Sequence, residues 1–383
     1  MIVNAVEDAQ FRQDVHANAV DPTLAEKVAF LSNPDAYELP GAIGRRETHM
    51  SWVFLRGERV YKLKKPVRLP YLDFSTLARR EAACRAELHL NRRLAADVYE
   101  NVLPLVRSDH GLSIGGPGAV VDWLVVMRRL NEGETLEHAI LEHRVASWQL
   151  DRVAATLQQF YRRTSTDLIS ADAHLVGWQR GIAYNRRILL DRRLDLPFGL
   201  VRRVDRAQRR FLASRSGLLA HRIRTRRIVD GHGDLRPEHI WLGDPVRIID
   251  CLEFNSRLRA VDPLDEIAFL CMECERLGGA WAGEYLKRRL MPHLPDGAPE
   301  PLFIFYRCYR ATLRARLAIA HHLEGERRDY QKWPRLARTY LRLAAADALR
   351  LERMLRTRAG RPGRARHEDG GSLRRAAARL IQS

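Results

Sequence analysis

A short strand–turn–strand pattern interrupts an otherwise helical stretch near residue 245, and it restricts the fold more than any other feature of the chain. Ile240-Trp241-Leu242 and Val246-Arg247-Ile248-Ile249 flank the turn Gly243-Asp244-Pro245, which reads as a tight hairpin. His232-Gly233-Asp234-Leu235-Arg236-Pro237-Glu238-His239 leads into it, and Asp250 follows at once. In an antiparallel pair the start of one strand lies beside the end of its partner. The loop carrying Asp234 and the exit carrying Asp250 therefore open at the same end. Two carboxylates from two loops converge there. One can hold a hydroxyl and take its proton; the other can hold a hard cation such as Mg²⁺. Glu253, Asp262 and Asp265 add acid nearby. A lone loop Asp is ordinarily a cap or turn residue. The triplet, the hairpin and the second Asp at workable spacing together point to chemistry instead.

The rest of the chain divides around this feature. Residues 1–40 read as a helical N-terminal extension, with Leu24, Val28 and Leu31 at helical spacing and Asn33-Pro34-Asp35 ending the run. Residues 41–130 are β-rich: strands at 51–55 and 60–64, a helix from about 75 to 96, then strands at 102–106 and 121–127, separated by a Gly-rich turn over 111–118. Residues 131–357 are mostly helical, with helices expected at about 134–164, 175–192, 200–219, 263–277, 280–290, 301–324 and 334–357. Residues 358–383 form a basic, flexible tail. The plan is α+β and bilobal: a small N-terminal β-sheet lobe and a large helical C-terminal lobe.

Charge adds a narrower clue. The chain of 383 residues carries a formal net charge of +18, and only six of its 65 basic residues are lysines. An arginine excess of this kind reflects a GC-rich coding background, so it does not argue first for nucleic acid, for which no recognised motif or aromatic–basic platform is present. Three of the six lysines fall in Lys62-Leu63-Lys64-Lys65. The chain start lacks a basic segment followed by an apolar core, no apolar run is long enough to cross a membrane, and five scattered cysteines suit a reducing compartment. A cytoplasmic protein with no membrane association is expected. No G-x-x-x-x-G-K-[ST] loop occurs, which excludes a P-loop kinase.

His232-Gly233-Asp234 followed by Ile249-Asp250 resembles the aminoglycoside phosphotransferase and choline kinase-like family, a branch of the protein-kinase-like fold. Asp262-Pro263-Leu264-Asp265-Glu266-Ile267-Ala268 resembles its D-P-x-x-D-L-A segment. Glu47 to Phe54, Tyr61 to Pro66 and Asp250 to Asn255 resemble a bacterial subgroup of it. The resemblance implies an ATP-dependent transfer of a phosphate to a hydroxyl of a small molecule, with ATP and Mg²⁺ (or Mn²⁺) as cofactors. Asp234 would be the catalytic residue, with His232 bracing its loop, and Asp250 would hold the metal. A strand lysine holding the phosphates is implied too. Lys64 is favoured because Tyr61-Lys62-Leu63-Lys64 lines up with V-A-I-K; Lys62 is second. Its partner glutamate follows from helix geometry. Glu87 falls inside the apolar arc of Leu77, Cys84, Leu88 and Leu94, where a carboxylate needs a cation, whereas Glu81 falls on the margin.

Two departures from the family pattern stand out. No Gly-rich loop precedes the first strand; Thr48, His49 and Ser51 could supply donors to phosphate there. The position where family members carry a metal-binding Asn is His239, and imidazole suits transition metals better than Mg²⁺. Glu253 or water fills the gap, or one metal suffices, or Mn²⁺ is preferred, or catalysis is lost while nucleotide binding remains. Met127-Arg128-Arg129-Leu130 occupies the place of the inter-lobe linker, where Met127 and Arg129 would face adenine through backbone groups. Cys271-Met272-Glu273-Cys274 matches C-x-x-C, but Ile267, Leu270, Cys271, Cys274 and Leu277 form one apolar helical stripe, so core packing is expected there.

Overall fold

The computed structural model describes residues 21–38, 41–69, 71–166, 169–295, 297–324 and 332–357. Helix α1 (Leu24–Leu31) begins with a capping box: the Thr23 hydroxyl accepts from the Glu26 amide and the Glu26 carboxylate accepts from Thr23. A six-stranded antiparallel sheet follows in the order β1-β2-β3-β8-β6-β7. Its strands are β1 (Ile43–Glu47), β2 (Ser51–Arg56), β3 (Arg59–Lys64), β6 (Tyr99–Ser108), β7 (Gly111–Ile114) and β8 (Ala119–Arg128); β4 (Arg68–Leu69) and β5 (Leu72–Asp73) make a small hairpin beside it. Helix α2 (Leu77–Asn91), capped by the Thr76 hydroxyl, crosses one face.

Alternation along the strands explains how both faces of the sheet are covered. Phe54, Tyr61, Leu63, Leu124 and Val126 pack with Leu31 and Tyr37 on the side of α1. Cys84, Tyr99, Val102, Val125 and Met127 pack together on the side of α2. Lys62 and Lys64 alternate with Tyr61 and Leu63 and so share the α2 side, in register with Val53 and Ser51 of β2.

The helical part contains α3 (Leu136–Leu141), α4 (Ser147–Arg163), α5 (Ala171–Leu189), α6 (Phe198–Arg224), α7 (Ser256–Arg259), α8 (Pro263–Arg276), α9 (Ala280–Leu290), α10 (Glu300–Glu324) and α11 (Lys332–Thr357). All of them except the short α7 contribute to one large apolar core. Helix α8 runs through its centre with twelve buried residues from Pro263 to Cys274, capped by Asp262 with Pro263 at its first position. Cys271 and Cys274 are free and buried there, as core packing requires.

The α+β plan expected from the sequence is present, with local differences. Strands β1 and β7 and the β4–β5 hairpin were not anticipated. The helix expected to reach residue 96 stops at Asn91, and the one expected over 134–164 is broken after Leu141. The tail at 358–383 lies outside the described residues, as do residues 1–20 of the N-terminal extension. No helix among the described residues is long and apolar enough to cross a membrane.

Candidate active site

The hairpin expected around residue 245 forms with two ladder pairs, Ile240↔Ile248 and Trp241↔Arg247, and it does bring Asp234 and Asp250 to one end. The Ile249 amide donates to the His239 carbonyl (3.0 Å) and the Leu252 amide to the His232 carbonyl (3.0 Å). His232 is fully buried. Its Nδ1 accepts from the Asp234 amide (3.3 Å), so its Nε2 donates to the Ile249 carbonyl (2.9 Å). Burial, reinforced by His239, lowers this imidazole to about 4. It stays neutral and ties the two loops together. Asp250 adopts a left-handed backbone (φ 64°), a conformation that Asp tolerates better than most side chains. Its amide donates to the buried Tyr99 hydroxyl (3.3 Å), and its side chain is half exposed.

The loop around Asp234 rests on α8. The Gly233 amide donates to Glu266 Oε1 (2.5 Å), and Glu266 Oε2 accepts from the Tyr161 hydroxyl (2.9 Å). Gly233 has φ +87°, and a Cβ there would come within 2.9 Å of Leu252 Cδ1. The left-handed backbone there, with the Leu258 carbonyl 3.2 Å from the Cβ position, favours glycine.

Asp234 is gripped by a cation that the sequence reading passed over. Arg236 places Nη2 2.8 Å and Nε 3.0 Å from Asp234 Oδ2, and it also pairs with Glu238. Burial works to raise the Asp234 carboxyl, but the charges of Arg236, His239 and Arg314 outweigh it and hold the group well below the usual carboxylate range. Oδ1 keeps its lone pairs for another donor. The clue to Arg236 lay in the motif itself, two residues past Asp234; Arg314 and Tyr161 arrive from distant helices with no local signal.

Across the cleft, Lys62 Nζ lies 2.8 Å from Glu87 Oε1 and 3.3 Å from Asp250 Oδ1. Lys64 Nζ lies 2.6 Å from Glu87 Oε2 and 2.5 Å from Glu253 Oε1. Glu87 is thus buried between two ammoniums, one on each oxygen. Its carboxyl is disfavoured by burial, yet Lys62 and Lys64 hold it below its ordinary range. Lys62 is likewise the leading reason that Asp250 sits well below its own. Glu81 pairs instead with Arg85 on the surface. The sequence favoured Lys64 over Lys62 as the phosphate ligand; in the structure Lys62 reaches Asp250, while Lys64 is enclosed by Glu87, Glu253 and the Phe74 ring.

The expected metal set of Asp250, His239 and Glu253 does not assemble as a group. Among the described residues no cluster of three or more His, Cys, Asp or Glu side chains is placed to hold a metal. The reasons are local. Glu253 is spent on Lys64. His239 Nδ1 donates to the Asp234 carbonyl (2.9 Å), and Nε2 faces Arg236 (3.1 Å), 3.8 Å from Asp250 Oδ2. Asp250, half exposed, is the carboxylate whose chemistry fits Mg²⁺.

Thr48 and Ser51 close the β1–β2 turn on each other. The Ser51 amide donates to Thr48 Oγ1 (2.9 Å), and the Thr48 hydroxyl and amide donate to the Ser51 carbonyl. Met127 is buried within β8, paired with Val60 and Tyr99. The amides of Arg128 and Arg129 go to the carbonyls of Val98 and Glu58.

Helix α2 carries two further ties unforeseen in the sequence. Asn91 Oδ1 accepts from the Cys251 amide (2.9 Å), while its Nδ2 donates to the Glu87 carbonyl. Just past the helix, Arg93 donates to the carbonyls of Asp230 (2.8 Å) and Gly231 (3.0 Å). Asn91 lies one turn beyond Glu87 on the same buried face, which was a readable sign.

The fold this arrangement belongs to is kinase-like. A choline/ethanolamine kinase family protein from Mesorhizobium loti superposes with a TM-score of 0.52 at 16% identity, over 86% of this chain and 99% of that one. A thermostable mutant of an aminoglycoside phosphotransferase is a looser likeness, with a TM-score of 0.47 at 15% identity over 88% of this chain and 100% of that one. In sequence, uncharacterised proteins of Mycobacterium tuberculosis and Mycobacterium bovis are each 34% identical over 290 residues, 73% of this chain. The chain spans 55% of the length of these relatives. No protein-family model matches it.

Proposed function

We propose that the chain is a phosphotransferase that moves the terminal phosphoryl group of ATP to a hydroxyl of a small molecule. The observation that carries this reading is the meeting of Asp234 with Arg236, Asp250, and the Lys62–Glu87 pair at one cleft, contributed by two loops, a strand and a helix. In this reading the acceptor hydroxyl donates to Asp234 Oδ1, and Arg236 fixes the carboxylate by its other oxygen. As the new oxygen–phosphorus bond forms and the bond to the departing diphosphate breaks, Asp234 takes the hydroxyl proton. Its low proton affinity makes it chiefly an orienting group, with proton transfer late. Lys62, steadied by Glu87, would meet the phosphates. A divalent ion held by Asp250, when bound, would neutralise phosphate charge. Positioning and charge neutralisation supply most of the rate in phosphoryl transfer, and the side chains present suit both tasks.

His239 favours a second reading. With one ring nitrogen on the Asp234 carbonyl and the other facing Arg236, it takes the place of a metal-binding Asn without a free ligand atom. A nucleotide-binding module that does not transfer phosphate would keep every other feature. One experiment separates the two readings. Stabilisation of the protein by ATP is followed by thermal melting with Mg²⁺ or Mn²⁺, and ATP consumption is followed over a panel of hydroxyl compounds with Asp234→Asn as blank. Ligand at a hundred times Kd adds about 2.7 kcal/mol to the folded state, enough to see in a melt. Stabilisation plus acceptor-dependent turnover lost in Asp234→Asn supports the kinase. Stabilisation alone supports the silent module. No stabilisation of well-folded protein with either metal overturns both.

A further inference from the structure

A second polar cluster lies away from the cleft, at the far end of α2. Asp122 of β8 stands beyond the last β3–β8 pair, Leu63↔Leu124, and pairs only with Leu105 of β6. Free of a β3 neighbour, its carboxylate is reached from both faces of the sheet. From α1, Lys27 Nζ comes within 2.8 Å of Oδ2 and also donates to the Val121 carbonyl (2.8 Å). From α2, Arg80 Nε comes within 2.7 Å of Oδ1, and Arg80 Nη1 donates to the Phe74 carbonyl (3.2 Å). All three side chains are buried. Such a cluster is stable only while every partner is in place.

Arg80 is also the first of three polar anchors on one stripe of α2. Arg80, Glu87 and Asn91 are all buried, together with Cys84 between them, at the i, i+4, i+7, i+11 spacing of a single helical face. Arg80 grips Asp122, Glu87 grips Lys62 and Lys64, and Asn91 grips the Cys251 amide just after Asp250. A helix turns and slides as a rigid element. Its placement at Arg80 therefore fixes the placement of Glu87 and Asn91.

We propose that Lys27, Asp122 and Arg80 are positioning residues for the cleft: α1, through this cluster, sets the seat of α2 and thereby the poise of the Lys62–Glu87 pair and of the Asp250 loop. The functional half of this inference rests on the nucleotide-binding reading above. It goes beyond that reading in making the N-terminal helix part of the machinery rather than a cover for the sheet. Any event that lifts Lys27 from Asp122 would weaken nucleotide binding from the opposite side of the sheet.

The test uses the full chain and the variants Lys27→Met and Lys27→Arg, with Lys27→Gln as the milder replacement should the Met variant not fold. Hydrogen exchange is read in peptides covering residues 84–91 and 250–254, and ATP affinity is read with Mg²⁺. Lys27→Met is expected to speed exchange in both remote segments and to weaken ATP binding about 5- to 10-fold, with Lys27→Arg restoring most of both. Exchange changes confined to 24–31 and 119–124, or an unchanged ATP affinity, overturn the inference. If the wild-type chain binds no ATP, the functional reading falls separately, and exchange in 84–91 alone decides whether α1 controls α2.

Discussion

Lys62 and Lys64 point to the same face of β3, yet their surroundings assign them different work. Lys62 is the one that touches Asp250; Lys64 is enclosed by Glu87, Glu253 and Phe74. Removing Lys64 leaves the buried Glu87 and the partly buried Glu253 short of a cation. Lys64→Met is therefore expected to cost about 3–5 kcal/mol of stability, read by urea unfolding. Lys62→Met is expected to cost less than half of that while abolishing most ATP affinity, read by calorimetry. Equal effects of the two on both readouts would contradict this division. The sequence made part of the arrangement legible. Strand alternation put both lysines on one face, and the apolar arc of α2 picked Glu87 over Glu81. It could not rank the lysines, because what closes over Lys64 comes from residue 74 and residue 253. Nor could it show that Glu253 and His239 are already committed, since their partners Lys64 and Arg236 become neighbours only through tertiary folding.

At the scale of elements, α8 serves as the mount of the Asp234 loop, with Glu266 as its contact. Burial raises this carboxyl to about 7, with the Gly233 amide and the Tyr161 hydroxyl acting the other way. The folded chain then holds a proton here that the unfolded chain gives up above about 4.5. The contribution is fully present below that pH and is lost as pH rises through 7, a change of about 3 kcal/mol. Wild-type protein should thus lose more stability than Glu266→Gln between pH 5 and pH 8, measured by denaturant unfolding at each pH; parallel profiles would refute the assignment. Gly233→Ala, forced into a left-handed backbone against Leu252, is expected to destabilise by about 1–3 kcal/mol. Elements with strong patterns were readable, including α8 from its cap, proline and apolar stripe. Strand β1 was not, because Gly44-Arg45-Arg46-Glu47 is polar and exposed at a sheet edge and carries no alternation. Strand β7 was concealed by the glycines around it. The break after Leu141 falls where His143 takes a positive φ, which apolar periodicity does not report.

At the scale of the whole molecule, several polar bridges between the sheet and the helical part converge on residues 230–253: Lys62 to Asp250, Lys64 to Glu253, Asn91 to Cys251, and Arg93 to Asp230 and Gly231; Arg46 to Glu132 is a further tie at the exposed edge. The excess positive charge lies elsewhere, much of it on exposed arginines such as Arg202, Arg203, Arg209 and Arg210 of α6. Any binding to duplex DNA is expected to be sequence-independent and to fall steeply between 50 and 200 mM salt, while ATP affinity changes far less; salt titrations of both check this. The charges in the cleft add up differently from those of the chain as a whole. The row Asp250, Lys62, Glu87, Lys64, Glu253 sets three carboxylates against two ammoniums, so it is one positive charge short of balance although the protein is strongly basic. On the kinase reading that shortfall governs the order of arrival. A bare triphosphate meets a half-exposed Asp250 and is turned away; one that travels with its divalent cation brings the missing charge along. Metal-free ATP should therefore neither bind tightly nor compete, and the metal's share of affinity should vanish in Asp250→Asn.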